Sequence, residues 1–214
     1  MNLFTDAVIA LLILTNLRLI GSSRIASCIQ VVALQGVLLG IWPLLAGSDL
    51  MTLRACVLSG ITVLLKGLIF PWLLLRALHA SKISRDMEPL VGYTTSLLIG
   101  AALLALAMWL GGQLPLPIPA ASPLVLPLAM FNIMVGLFAI VSRRKALTQV
   151  LGYLVMENGI YAFGLAFALS EPLLVELGIL LDAFMAVFVM GITIFHISRE
   201  FDHMDTDRLS ILKD

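Results

Sequence analysis

Seven apolar runs follow one another along the 214-residue chain, at 3–20, 26–46, 53–78, 90–110, 125–141, 147–169 and 173–196. Each can cross the hydrocarbon of a bilayer, which takes about 20 residues of helix. Lipid offers no water to a peptide group, so each span must satisfy its own backbone as a helix. The pattern predicts an all-α integral membrane protein of about seven transmembrane helices. The longest uncharged stretch between runs, GGQLPLPIPAASP at 111–123, carries prolines that stop a helix and reads as an extended connector. It divides the chain into a four-helix N-terminal part (1–112), an external Pro-rich connector (113–124), a three-helix part (125–198) and a polar tail (199–214).

Composition agrees with this pattern. Hydrophobic residues make up 61% of the chain and charged residues 12%, with a mean hydropathy of +1.08, whereas about a quarter of residues are charged in soluble domains. The 13 Lys and Arg balance 13 Asp and Glu. Because the basic residues are clustered between runs, no basic face is left over for nucleic acid. Arg18 and Arg24 flank the first turn, Arg76, Lys82 and Arg85 the third, and Arg143, Arg144 and Lys145 the fifth, while Arg199, Arg208 and Lys213 follow the last run. Loops rich in Lys and Arg stay in the cytoplasm, which predicts an N-terminus outside, a cytoplasmic C-terminus and a multi-pass protein of the inner membrane. Before the first run there is no charged n-region, so that helix reads as retained. Cys28 and Cys56 fall near opposite faces, too far apart for a bridge, and no metal-ligand or haem-attachment spacing occurs.

Four ionisable residues lie within the runs: Lys66, Glu157, Asp182 and, nearer an edge, Glu176. A charge at the centre of a membrane helix costs about 2.5–3.5 kcal/mol on insertion scales, so such residues are rare unless paired, hydrated or used. One reading is hydrogen-bonded glue between helices. The other is proton or ion handling, which both signs on three helices favour, since desolvation disfavours the charged form of acids and bases alike and makes such groups ready to exchange protons. Gln149, Tyr153, Glu157 and Tyr161 recur every four residues as a polar stripe. On the last run Asp182 and Thr193 share a face among the small Gly178, Ala183, Ala186 and Gly191, and His196 ends the run, where it reads as an interfacial anchor with a proton entry gate as the alternative. On the third, Ser59, Thr62 and Lys66 share a face, and Pro71 cannot donate to the Gly67 carbonyl, which predicts a kink beside the lysine. Whether Lys66 meets the acids is a tertiary property that spacing does not encode.

The segments SRRKALTQVLGYLVMENGIYAFGLAF (142–167) and ELGILLDAFMAVFVMGITIFHISRE (176–200) resemble the K-type subunits of respiratory complex I and the related C-type subunits of Mrp sodium/proton antiporters. In that family two intramembrane carboxylates take part in the ion path. The resemblance places Asp182 at the second; the family's first glutamate falls at Leu154, one turn before Glu157. With LLKGLIFPWLL (64–74) added, the chain as a whole resembles the component E subunits of hydrogenase-4, in formate hydrogenlyase-type nickel–iron hydrogenases. This implies a non-catalytic membrane subunit, with antiporter-like subunits and the membrane anchor of a hydrogenase module as partners and nickel–iron and iron–sulfur centres in partner subunits; the sequence itself offers no ligand set for a cofactor in this chain. It also implies that the membrane subunits move protons or sodium, and together with the polar residues found within the apolar runs this gives an expected path through Lys66, Tyr153, Glu157, Glu176 and Asp182. An antiporter subunit and a purely structural spacer are the alternatives.

Overall fold

A computed structural model describes residues 3–46, 53–80, 91–114, 122–143, 145–167 and 191. Apart from isolated bridge positions at Arg24 and Arg143, the regular structure among them is helical. The helices are α1 (Leu3–Gly21), α2 (Ile25–Ala46), α3 (Leu53–Thr62), α4 (Phe70–Ala80), α5 (Tyr93–Gln113), α6 (Val125–Ser142) and α7 (Ala146–Phe167), and a π-helical segment, Val63–Ile69, joins α3 to α4. Among the described residues four stretches are long and apolar enough to cross a membrane: Ile25–Leu44, Ser59–His79, Tyr93–Gln113 and Val125–Ser142. Apart from Gly191, the last predicted run, with Glu176, Asp182, Thr193 and His196, and the tail lie outside the described residues.

Contacts at the helix ends fix an up-and-down arrangement. At one end Arg143, just past α6, donates from Nη2 to the Ile20 carbonyl in the last turn of α1 at 2.9 Å, and it lies close to Cys28 near the start of α2 and Tyr93 at the start of α5. Gln149 in the first turn of α7 donates to the Arg143 carbonyl at 3.1 Å. At the other end the Ser122 hydroxyl donates to Asp6 at 2.9 Å, joining the approach to α6 to the start of α1. A Cβ on Gly111, near the end of α5, would overlap the Pro127 ring. The first of these ends, which holds Arg18, Arg24 and Arg143, is the basic end.

Arg143, one of the basic residues clustered between runs, is buried, being only 4% exposed. Its cation faces the negative end of the α1 dipole, where a guanidinium is favourable, and desolvation lowers its pKa from the ordinary arginine value. Arginine tolerates this because its charge is delocalised and weakly hydrated.

The core divides by depth. One cluster, towards the basic end, holds Leu19, Ile20, Ile25, Ile29, Phe70, Leu74, Leu147 and Leu151. The second, towards the other end, holds Val8, Ile9, Leu12, Leu39, Trp42, Leu128 and Ala162. On α1, α2, α6 and α7 alike, buried polar side chains lie where the two clusters meet: Thr15, Asn16, Gln35, Asn132, Glu157 and Asn158. The buried amides and the acid of these helices thus share one depth, as a layer between two apolar slabs.

Close approach of the helices builds this layer. Gly36 and Gly40, four apart on α2, face the π segment, where a Cβ on Gly36 would come within 2.5 Å of the Lys66 Cβ and one on Gly40 within 2.7 Å of Val63. Gly136 on α6 and Gly152 and Gly159 on α7 meet the opposing backbone in the same way. With lipid equally apolar, membrane helices associate through such packing and through interhelical hydrogen bonds.

Candidate functional site

Lys66 sits in the π segment and is 5% exposed. The Phe70 amide donates to the Leu65 carbonyl, five residues back, where an α-helix would close four back. Pro71 has no amide to offer the Gly67 carbonyl in α register or the Lys66 carbonyl in π register. The disturbance expected at the proline is therefore present, spread as a widened turn centred on the lysine rather than as a kink at Pro71. Single widened turns of this kind recur at functional sites.

The Lys66 ammonium faces α7. Its Nζ stands 3.4 Å from Glu157 Oε1, with the two side chains 4% and 2% exposed, and 3.3 Å from the Asn158 side-chain oxygen, to which it donates. It also lies 5.2 Å from the centre of the Tyr161 ring, within range of a cation–π attraction. The Glu157 pairing is one of charge alone. Neither Glu157 oxygen accepts a hydrogen bond from a described residue, because the ammonium approaches at a distance suited to attraction but off the line a hydrogen bond needs.

From Asn158 a chain of amides runs across the bundle, and its direction follows from Lys66. An ammonium only donates, so Asn158 must turn its oxygen to Lys66 and its NH2 outward, to Gln35 Oε1 at 3.5 Å. Gln35 then donates to Asn16 Oδ1 and to the Thr15 hydroxyl, both at 3.0 Å. Asn16 donates to the Leu12 carbonyl at 3.0 Å and to the Asn132 side-chain oxygen, and Asn132 Nδ2 is left with no acceptor among the described residues. Every carbonyl points towards the ammonium and every NH2 away. These aligned dipoles stabilise the cation without titrating, so they hold charge but cannot carry a proton.

Of the expected site residues, the fold brings Lys66, Glu157 and Tyr161 together across α3–α4 and α7. Thr62 and Ser59 lie on the buried face of the same element, towards the end opposite the basic one, with Thr62 beside the Tyr161 hydroxyl and the Ser59 hydroxyl unpartnered among the described residues. The rest of the α7 stripe diverges: Tyr153 packs half-buried on the basic-end cluster, and Gln149 is exposed and turns to Arg143. Sequence reading passed over Thr15, Asn16, Gln35 and Asn132. Their one signal is that each is a neutral polar residue in the middle of an otherwise apolar run. No group of His, Cys, Asp and Glu able to hold a metal occurs among the described residues, and both cysteines are free.

Comparison with known proteins agrees with the resemblance read from the motifs. Residues 124–214 match the family model of NADH-ubiquinone/plastoquinone oxidoreductase chain 4L. Over 208 residues the chain is 34% identical to the uncharacterized protein Rv0085 of Mycobacterium tuberculosis, covering 95% of this chain and 93% of that protein. Over 126 residues it is 33% identical to hydrogenase-4 component E of Escherichia coli (strain K12), covering 59% of this chain and 58% of that protein, and the Shigella flexneri component E matches equally. No solved structure matches the chain significantly.

Proposed function

The chain belongs to one family with the mycobacterial protein Rv0085, and on that premise we propose that it is a membrane subunit of a complex I-related, membrane-bound hydrogenase that forms part of the complex's proton or sodium path. The chain 4L-like part and the similarity to hydrogenase-4 component E support the assignment to such a complex. In this reading all seven runs span the inner membrane, the basic end faces the cytoplasm as the distribution of Lys and Arg demands, and the N-terminus lies outside. The partners are antiporter-like subunits and the membrane anchor of the hydrogenase module, and the nickel–iron and iron–sulfur centres belong to other, partner subunits of the complex.

The observation that carries the path is the buried Lys66–Glu157 pair. In a water-poor layer, shifting one proton from the ammonium to the carboxylate turns an ion pair into two neutral groups without changing the net charge. Lys66 is then recharged from the cytoplasmic side, and Glu157 passes its proton on to Asp182. Tyr153 and Glu176 serve as flanking stations. The amide chain from Asn158 to Asn132 holds the lysine in place and closes off escape towards α1.

The test is to purify the native complex, measure its metals and follow proton transport. Nickel and iron–sulfur proteins should copurify, whereas antiporter subunits alone would identify a cation/proton antiporter. Glu157→Gln should leave the complex assembled but abolish transport; transport at the wild-type rate would end the path reading. The near-complete burial of the pair favours one further reading, a structural spacer whose charges are glue. That reading predicts transport undiminished when Lys66→Met and Glu157→Leu are combined.

A further inference from the structure

The element that carries Lys66 has one open face. Ile61, Leu64, Leu68 and Trp72 follow one another along α3, the π segment and α4 as exposed apolar side chains, Leu68 at 66% and Trp72 at 57%, and the exposed Arg76 continues the line one turn further on. A four-residue spacing drifts around a 3.6-residue helix. The widened turn at Val63–Ile69 offsets part of that drift and keeps the five on one face. The opposite face packs inward through Lys66, Phe70 and Leu74, and towards the basic end Ala77 and Leu78 join Ile25 and Cys28 in one cluster.

Arg76 does not reach outward. The apolar stretch runs from Ser59 to His79, and a long basic side chain near the end of a membrane helix ordinarily extends to the polar interface. The Arg76 guanidinium instead lies 5.4 Å over the ring of Trp72, one turn earlier, so it has turned back along the stretch. This stacking is a cation–π attraction, and it occupies only a face of the planar group. The N–H donors in the plane remain available to grip an oxyanion from the side.

Among the described residues no carboxylate answers this charge. Their two acids are Asp6, at the opposite end against Ser122, and Glu157, buried beside Lys66, whereas Arg18, Arg24 and Arg143 stand at the same end as Arg76. A cation drawn back into an apolar stretch calls for an anion at its own depth. The bilayer supplies one in the lipid phosphate, with acyl chains that run alongside Leu68, Leu64 and Ile61.

We propose that the Trp72–Arg76 face binds an anionic phospholipid, whose phosphate the stacked guanidinium holds. The site rests on the chain's being a membrane protein and not on the ion path. Acyl chains gain nothing against leucine that they lack in bulk lipid, so selectivity lies in the headgroup: phosphatidylglycerol brings a net negative charge, whereas phosphatidylcholine cancels its own phosphate.

Quenching of tryptophan fluorescence by lipids brominated on their acyl chains tests this with the full chain in vesicles. In Trp109→Phe, Trp72 is the one exposed tryptophan, since Trp42 is buried in the second cluster; in Trp72→Phe, Trp109 reports from the last turns of α5, away from the basic end. Brominated phosphatidylglycerol diluted into phosphatidylcholine should occupy the Trp72 face about ten times more readily than brominated phosphatidylcholine does. Arg76→Gln should bring that ratio to about one, the value expected at Trp109 throughout. Equal occupancy by the two lipids at Trp72, or a preference that survives Arg76→Gln, would overturn the site. Quenching by neither lipid would show protein on this face, a second copy of the chain included, and would overturn it as well. Transport does not enter the readout, so the Glu157→Gln assay can fail while this site stands, and the reverse.

Discussion

Lys66 and Glu157 stand 3.4 Å apart on two elements 91 positions apart in sequence, and the acid takes no hydrogen bond from the described residues. Such a pair is held by attraction and by the lack of alternatives. Removing one partner of a buried pair leaves an uncompensated charge, at a cost of about 3–5 kcal/mol, whereas replacing both with apolar residues is often neutral or stabilising. Lys66→Met and Glu157→Leu should each lower the stability of the purified protein by an amount in that range, and the double variant should recover most of the loss. Denaturation of the four proteins of the cycle in one detergent measures the coupling, and additive losses would contradict it.

The amide chain predicts an asymmetry between two substitutions at one position. Asn158→Leu removes the oxygen that accepts from Lys66 and leaves the buried Gln35 Oε1 without its donor. Asn158→Asp restores an acceptor for the ammonium but turns an oxygen towards Gln35 Oε1, so Gln35 must flip and the polarity of the chain reverses beyond it. The leucine variant should lose about 2–3 kcal/mol, and the aspartate variant less, with a proton-transport rate that depends on pH differently from the wild type. Equal losses, with unchanged pH profiles, would show that the amides do not sense the lysine.

What the sequence made legible was whatever depends on one helix at a time. Apolar runs predicted the described helices to within a few residues, and the cost of charge in lipid singled out Lys66 and Glu157 without any neighbour in view. What it concealed depends on helices meeting. The periodic stripe of Gln149, Tyr153, Glu157 and Tyr161 reads as one slowly drifting polar surface, since a four-residue repeat advances around a 3.6-residue helix, but only the packing shows that over three turns the drift takes Gln149 out to the surface while Tyr161 stays inside. Arg143 reads in sequence only as one member of a basic cluster between runs; the position of the α1 terminus reveals its partner. Asn16, Gln35 and Asn132 each look incidental alone and become a layer only when four helices are laid side by side.

The α2 glycines make a packing prediction. A side chain at Gly36 would collide with the Lys66 Cβ and the backbone carbon and oxygen of that residue, none of which is a flexible end. Gly36→Leu must push the π segment away from α2 and carry the ammonium off Asn158, whereas Gly60→Leu, on the same membrane element as Lys66 but with open space around it, should be tolerated. Gly36→Leu is expected to destabilise by at least the 1–3 kcal/mol typical of overpacking and to abolish transport, as measured by detergent denaturation and a vesicle assay. A Gly36→Leu protein matching Gly60→Leu in both assays would mean that α2 and the π segment are not in contact.

Arg143 supports the last prediction because it tests the bundle away from any proposed path. Its Nη2 caps the Ile20 carbonyl, and its buried Nη1 has no partner among the described residues. The guanidinium therefore contributes one charge-assisted hydrogen bond, worth about 2 kcal/mol, and a favourable interaction with the α1 dipole of about 0.3–1 kcal/mol. Arg143→Met keeps the apolar stem and loses both. Arg143→Lys keeps the charge but replaces the fork with a compact, strongly hydrated ammonium that resists burial. Both should reduce stability, methionine more than lysine, while the wild-type ratio of transport to hydrogenase turnover is kept in whatever complex still assembles. A changed ratio in Arg143→Lys would place this arginine in the ion path itself, whereas an unchanged ratio with lower stability identifies it as the clamp that holds α1 to the α6–α7 hairpin.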